Sequence, residues 1–275
     1  ETNKDLRYAF WEGSEWQTET VDSVDLVGKY TSLALDSSGY PHISYYDAFN
    51  RALKYAYFDG IAWQIEIVDS INNVGQYTSL ALDSSGYPHI SYYDESNLSL
   101  KYAYYDGVVW QIETVDGIGL VGQFTSLALD SSGYPHISYY DETNLSLKYA
   151  FFDGLAWQIE TVDGIGLVGQ FTSLTLDSSG YPHISYYDEA NQNLKYAYFN
   201  GSIWRLEIVD SVGWVGQYTS LVLDSTGNPR ISYYDATNKD LNFAYFDSRW
   251  KLVRGESIGW VGEYSSLVLC GGDIP

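Results

Sequence analysis

The sequence predicts an all-β protein, a six-bladed β-propeller of four-stranded antiparallel blades, and three observations carry that prediction. The string "GYPHISYYD" occurs four times, at Gly39–Asp47, Gly86–Asp94, Gly133–Asp141 and Gly180–Asp188, with a fifth copy, "GNPRISYYD", at Gly227–Asp235. Its opening glycine recurs every 47 residues, and Gly117–Asp163 and Gly164–Asp210 are identical at 36 of 47 positions, so the 275 residues are a repeat array. Each repeat contains four short runs rich in Val, Ile, Thr and Tyr that alternate in the β manner, with no sustained 3.6-residue period. Four antiparallel strands in a repeat of this length are the signature of a propeller blade.

Within one repeat, strand a is "YTSLALD" (Tyr77–Asp83), strand b "PHISYYD" (Pro88–Asp94), strand c "LKYAYYD" (Leu100–Asp106) and strand d "WQIETVD" (Trp110–Asp116). The "SSG" between a and b and the Asp-Gly between c and d are hairpin signals. Each blade packs between two neighbours, which explains large residues on both faces of strand b, such as Tyr92 and Tyr93.

The count of strands sets the organisation. Strands c and a each appear six times, strand b only five. One propeller domain over 1–275 is expected, with 1–22 as strands c and d of a closing blade. Complete blades follow at 30–69, 77–116, 124–163, 171–210 and 218–254, and 264–275 is strand a of the closing blade. That blade is shared by the two termini and lacks its second strand. Unpaired strand edges are costly, so a longer parent protein, a missing chain segment or a partner strand is expected to complete the sixth blade.

A formal net charge of −22, with only 14 Lys and Arg, all scattered, excludes a nucleic-acid partner. The acids are spread about one per turn, as on a solvated surface. No apolar run approaches a membrane span. Cys270 stands alone, so there is no internal disulfide framework. The sequons at Asn97, Asn144 and Asn200 fall in predicted turns and lean towards an extracellular or cell-surface location.

Antiparallel alternation sorts the loops onto two faces, and the b–c loops share one with the longer d–a connections. Binding residues favour longer loops, so candidate ligand-binding residues are read from that face. The residue opening strand a runs Lys29, Gln76, Gln123, Gln170, Gln217, Glu263, and the acid closing strand b runs Asp47, Asp94, Asp141, Asp188, Asp235. The d–a loop adds Trp214 and Trp260. Amide, carboxylate and indole together suit carbohydrate, whose hydroxyls take polar partners while its C–H face stacks on an aromatic ring.

Catalytic chemistry is not expected. His42, His89, His136 and His183 belong to different blades, too far apart for one metal, and the fifth copy carries Arg230 instead. They are read as structural, and neither a metal nor a cofactor is expected. Near-identical blades offer rotational copies where an enzyme needs an asymmetric constellation. The six arginines (Arg7, Arg51, Arg205, Arg230, Arg249, Arg254) occupy unrelated repeat positions.

The stretch "HISYYDETNLSLKYAFFDGLAWQIE" (His136–Glu160) resembles the blade of the six-bladed fucose-binding lectins: an Ile-x-Val-Tyr strand, a turn, a second strand, then Asp-Gly-x-x-Trp. The likeness covers about half of each repeat. The family's sugar-binding Arg after the Ile is Ser here (Ser44, Ser91, Ser138, Ser185, Ser232). Its Glu on the next strand falls on Tyr or Phe (Tyr55, Tyr102, Tyr149, Phe243), so fucose specificity does not carry over. The 47-residue period and "G…F-x-S-L…D-x-x-G" also look like the five-bladed tachylectin-type propeller. The resemblance implies a lectin-like propeller, and the expectation is a non-catalytic extracellular binding module with repeated glycan sites on the b–c and d–a loop face. The alternative is a rigid structural or protein–protein interaction module of a larger cell-surface protein.

Overall fold

The computed structural model describes residues 4–24 and 26–269. Two compact units make up the chain, residues 1–123 and 124–275. The first opens with a two-stranded sheet, β1 (Leu6–Trp11) and β2 (Trp16–Asp22), followed by two four-stranded antiparallel sheets. These are β3 (Val27–Leu35), β4 (Pro41–Asp47), β5 (Ala52–Phe58) and β6 (Trp63–Asp69), then β7 (Val74–Leu82), β8 (Pro88–Asp94), β9 (Ser99–Tyr105) and β10 (Trp110–Asp116). The third sheet is β11 (Val121–Leu129), β12 (Pro135–Asp141), β13 (Ser146–Phe152) and β14 (Trp157–Asp163); β11 starts at the end of the first unit. The second unit continues with β15 (Val168–Leu176), β16 (Pro182–Asp188), β17 (Asn193–Phe199) and β18 (Trp204–Asp210). Its last sheet is β19 (Val215–Leu223), β20 (Pro229–Asp235), β21 (Asp240–Phe246) and β22 (Trp250–Arg254). Each sheet keeps sequence order, as a propeller blade requires.

Local chemistry fixes the turns. Asp83 Oδ1 accepts from the N–H groups of Ser85 and Tyr87 at 2.8 Å each, and Gly86, at φ +83°, closes the a–b turn onto the Asp83 carbonyl. Pro88 opens strand b, where its missing N–H costs least. At the c–d hairpin, Asp106 Oδ1 accepts from Val108 and Val109 N–H, again at 2.8 Å. Gly107 between them has φ +91° and lies under the Tyr87 hydroxyl, which a Cβ would meet at 3.0 Å. In the fifth blade the tyrosine is Asn228, and the glycine position is taken by Ser248 at φ 62°.

Strand b is the centre of each blade. All seven residues of β4, β8, β12 and β16 are buried, the tyrosine pair included. Strand a is bulged: its register against b shifts between Gln76 and Ser79, with Tyr77 at φ 53°. The core lies between sheets, where Leu53, Tyr55 and Val68 of the first blade meet Val74, Leu80, Ile90, Tyr92 and Ala103 of the second. Gly75 is where the two backbones come closest, since a Cβ there would stand 2.6 Å from Leu53 Cα.

The segments expected to form a closing blade depart from expectation in one respect. Strands c and d are present as β1 and β2, and no strand b accompanies them among the described residues. The expected strand a of 264–275 forms no strand over residues 264–269, and 270–275, Cys270 included, lie outside the described residues. In every complete blade strand a takes its ladder from strand b, and among the described residues this copy has no such partner. It still docks as its equivalents do. Leu267 N–H donates to Ser220 Oγ at 3.0 Å, as Leu80 does to Ser32, Leu174 to Ser126 and Leu221 to Ser173.

Candidate functional site

The aspartates closing strand b are buried, at 0–4% exposure. Asp47 shows why. Its Oδ1 accepts from the N–H groups of Phe49 and Asn50 and its Oδ2 from Asn50 Nδ2, which holds the b–c turn. Asp94, Asp141, Asp188 and Asp235 hold their turns in the same way. A cation from strand c lies beside each of the first four, Lys54 Nζ being 3.3 Å from Asp47 and 2.7 Å from Asp22 of the preceding sheet. The same triad recurs as Asp69–Lys101–Asp94 and Asp163–Lys195–Asp188. These carboxylates are engaged by the fold and offer little to a ligand.

The glutamines are half-buried, and two of them pair with b–c loop acids: Gln76 Nε2 donates to Glu95 at 2.7 Å and Gln170 Nε2 to Glu189 at 2.6 Å. Gln217 bonds Tyr187, Gln123 is also engaged, and Glu263 accepts from Trp260 Nε1 at 3.1 Å. Trp214 donates its indole N–H to Tyr187 Oη and its backbone N–H to Thr237 Oγ1. Trp260 is 65% exposed, with Lys239 Nζ 4.4 Å from its ring centroid. Of the expected residues, the two tryptophans and the Gln–Glu pairs keep accessible surface.

A second site, on the blade edges beside the hairpins, did not emerge from the sequence reading. In the first unit a cleft of about 240 Å³ lies between the first two complete blades. His42, Tyr55, Tyr57 and Glu66 line one side, and Tyr87 and Trp110 the other. Tyr55 and Tyr57 alternate onto one face of β5 and stack at 5.6 Å, while Trp110 stands edge-on to Tyr55 at 5.5 Å. Trp110 Nε1 donates to Glu66 Oε2 at 2.8 Å. The second unit repeats this arrangement as Trp204 to Glu160 at 2.9 Å and Trp250 to Glu207 at 2.8 Å, each tryptophan edge-on to a tyrosine (Tyr149, Tyr196).

The histidines belong to these clefts. His42 Nδ1 bonds Tyr55 Oη, and its Nε2 faces Asp36 Oδ2 at 3.9 Å. Burial holds the His42 pKa below its usual value against the pull of Asp36, so the ring is neutral at pH 7. Burial also pushes the Tyr55 phenol well above the usual range, keeping it a hydrogen-bonding hydroxyl. At the positions where the fucose-binding lectins would carry Arg and Glu, Ser44 is buried against Thr78 Oγ1 and Tyr55 lines the cleft. The chemistry is therefore a set of aromatic walls, one carboxylate and phenol and indole edges, copied from blade to blade.

No family model matches the chain, and no curated protein does either. Solved structures do match. A triple arginine-to-alanine mutant of AofleA from Arthrobotrys oligospora superposes with a TM-score of 0.64 at 16% identity, over 93% of this chain and 80% of that one. A mutant of Aleuria aurantia lectin in complex with Fucα1-6GlcNAc gives 0.56 at 15% identity, over 83% and 78%. An ulvan lyase of a polysaccharide lyase family gives 0.58 at 13% identity, over 86% and 71%. A lectin and a lyase are thus among the proteins with this architecture, and at these identities the likeness concerns the fold alone: this chain has a lectin-like β-propeller fold.

Proposed function

We propose that the protein is a non-catalytic, extracellular carbohydrate-binding propeller whose sites are the clefts between adjacent blades. The observation that carries this reading is the Trp110–Glu66 pair among stacked aromatics, with its copies Trp204–Glu160 and Trp250–Glu207. Aromatic faces stack on the C–H face of a sugar, and the carboxylate and phenol oxygens take its hydroxyls. The structural likeness to a lectin solved with a fucosylated disaccharide supports that ligand class. Repetition supports binding over catalysis, because equivalent weak sites gain avidity on a polyvalent surface, which also favours an exterior location. Trp214, Trp260 and the Gln–Glu pairs are a second contact region for the same ligands.

A glycan array tests this directly. The wild type is expected to retain a defined glycan set, Trp110→Ala with Trp204→Ala to lose most of it, and Trp214→Ala with Trp260→Ala to lose less. No retained glycan, with folding confirmed by circular dichroism, would refute the reading.

The alternative, a rigid interaction module, is favoured by two features: β1 pairs only with β2 among the described strands, and hairpin tips such as Ile61 and Leu155 are about nine-tenths exposed. A peptide with the sequence of residues 86–94 is then expected to bind the chain and raise its melting temperature. Absence of any shift at millimolar peptide would remove this alternative.

A further inference from the structure

The aromatic cleft between the first two complete blades carries a charge of one sign. Glu66 is a carboxylate in its lining, and among the described residues that line it there is no lysine or arginine. His42 adds no charge, since burial keeps its ring neutral at pH 7. The negative field reaches the aromatic wall: burial raises the Tyr57 pKa, and the charges of Glu66 and Asp59 raise it further. Trp110 binds Glu66 through Oε2, a bond that leaves the carboxylate its charge. In the second unit Glu160 takes the same place beside Trp204, and Gln158 stands where the first cleft has Gln64.

The fifth blade shows what this wall accepts. Tyr245 is the equivalent of Tyr57, and there the histidine becomes Arg230 and the glutamine Lys251, both opposite Tyr245 in the strand register. The Arg230 guanidinium lies 5.5 Å and the Lys251 ammonium 5.7 Å from the Tyr245 ring centroid, within reach of a cation–π contact. Each cation also pairs with an aspartate, Asp224 or Asp247. The same aspartates in the first blade are Asp36 and Asp59, and they face the neutral His42 and Gln64. Tyr57 there has His42 stacked on it at 5.9 Å. The fifth blade thus supplies its own cations and carries Val253 in place of the glutamate, whereas the first keeps Glu66 and supplies none. The fourth blade is intermediate, with Glu207 kept and Arg205 two positions before it on the same face of β18.

We propose, on the carbohydrate reading of these clefts, that their ligand is a glycan with free amino groups, the protonated amine of a non-acetylated amino sugar standing between Glu66 or Glu160 and the neighbouring aromatic faces. The C–H face of the sugar covers the tyrosine and tryptophan rings. Its ammonium makes the kind of cation–π contact that Arg230 and Lys251 make in the fifth blade, and the glutamate balances its charge. An anionic sugar is disfavoured, because the cleft would set a like charge against it. The cleft of Trp250 is the weakest for such a ligand, since Arg205 already stands beside Glu207.

The test titrates the full chain, at about 0.15 M salt, with the trimers of glucosamine and of N-acetylglucosamine, reading affinity by calorimetry and the indole N–H resonances by NMR. The glucosamine trimer is expected to bind about tenfold tighter, with larger shifts at Trp110 and Trp204 than at Trp250. The double variant Glu66→Gln, Glu160→Gln, whose amide oxygens still accept from the indoles, should bring the two affinities together. Arg205→Gln should enlarge the Trp250 response to the glucosamine trimer. Equal affinities, tighter binding of the acetylated trimer, or retention of other glycans only on the array overturn the inference and leave the carbohydrate reading standing. A preference that survives in the double variant belongs to the acidic surface at large and overturns it as well. Binding of neither trimer together with a blank array fails the inference and the carbohydrate reading at once.

Discussion

Replacing Lys101 with methionine isolates the ion triad between the first two complete blades. The change keeps much of the side chain's apolar length and removes the ammonium, leaving Asp69 at 1% side-chain exposure facing Asp94. Breaking a buried pair by removing one partner costs about 3–5 kcal/mol. The lower end, about 3 kcal/mol, applies because Asp69 keeps its bonds from Tyr92 Oη and Ile71 N–H. At about 2–4 °C per kcal/mol, the melting temperature should fall by about 6–12 °C at pH 7.5. The pH dependence then separates charge from packing. Burial pushes the Asp69 pKa up, but Lys101, Ile71 N–H and Tyr92 outweigh it, and the net shift in the wild type is downward. A depressed carboxylate stabilises the fold above its unfolded pKa of about 3.9, and that contribution is lost as pH falls through the folded value. In the variant burial prevails, so the folded pKa rises above the unfolded one. The deficit is then full at neutral pH and shrinks as pH falls through the raised value. Thermal melts by circular dichroism at pH 7.5 and 4.5 should show the gap between the two proteins narrowing at the lower pH. An equal gap at both, or one below about 1 kcal/mol, would refute the charge argument.

Three further outcomes follow from the geometry. Gly75→Ala should destabilise far more than Gly86→Ala: both have positive φ, but only the first Cβ meets backbone, at 2.6 Å from Leu53 Cα; the αL penalty common to both is about 1–2 kcal/mol, so urea melts of the pair give the clash alone. Burial is the leading cause that lowers the pKa of His42, His89, His136 and His183, so their contribution to stability is complete above the unfolded pKa of about 6.5 and declines as pH falls below it; His89→Gln should make the change in melting temperature between pH 7.5 and 5.5 smaller. Ser32→Ala should cost about 1–2 kcal/mol in chemical denaturation, because it leaves the Leu80 N–H without its partner at a sheet-to-sheet contact.

Architecture was legible in the sequence because it is written in local signals. Alternation gave the strands, Asp-Ser-Ser-Gly and Asp-Gly gave the hairpins, and the Tyr-Tyr pair of strand b signalled burial on both faces, as Tyr45 at 0% and Tyr46 at 6% bear out. The site was less legible because its contacts join residues far apart in the chain. Trp110 meets Glu66 44 positions away, and Lys54 meets Asp22 32 positions away. A signal was nevertheless available: Trp-x-x-Glu recurs at Trp16–Glu19, Trp63–Glu66, Trp110–Glu113, Trp157–Glu160 and Trp204–Glu207, and ends where Val253 stands after Trp250. The strand-b aspartates illustrate the opposite failure. A carboxylate beside a loop suggests ligand contact, yet the turn's own hydrogen bonds, and in the first four complete blades a lysine from the next strand, claim it first.

Indole N–H resonances of the nine tryptophans provide the most direct test of where a glycan binds. With a glycan retained on the array titrated into labelled protein, saturable shifts are expected at Trp110, Trp204 and Trp250, whose N–H groups point at Glu66, Glu160 and Glu207. Shifts confined to Trp214 and Trp260, or no shift at all, would contradict it.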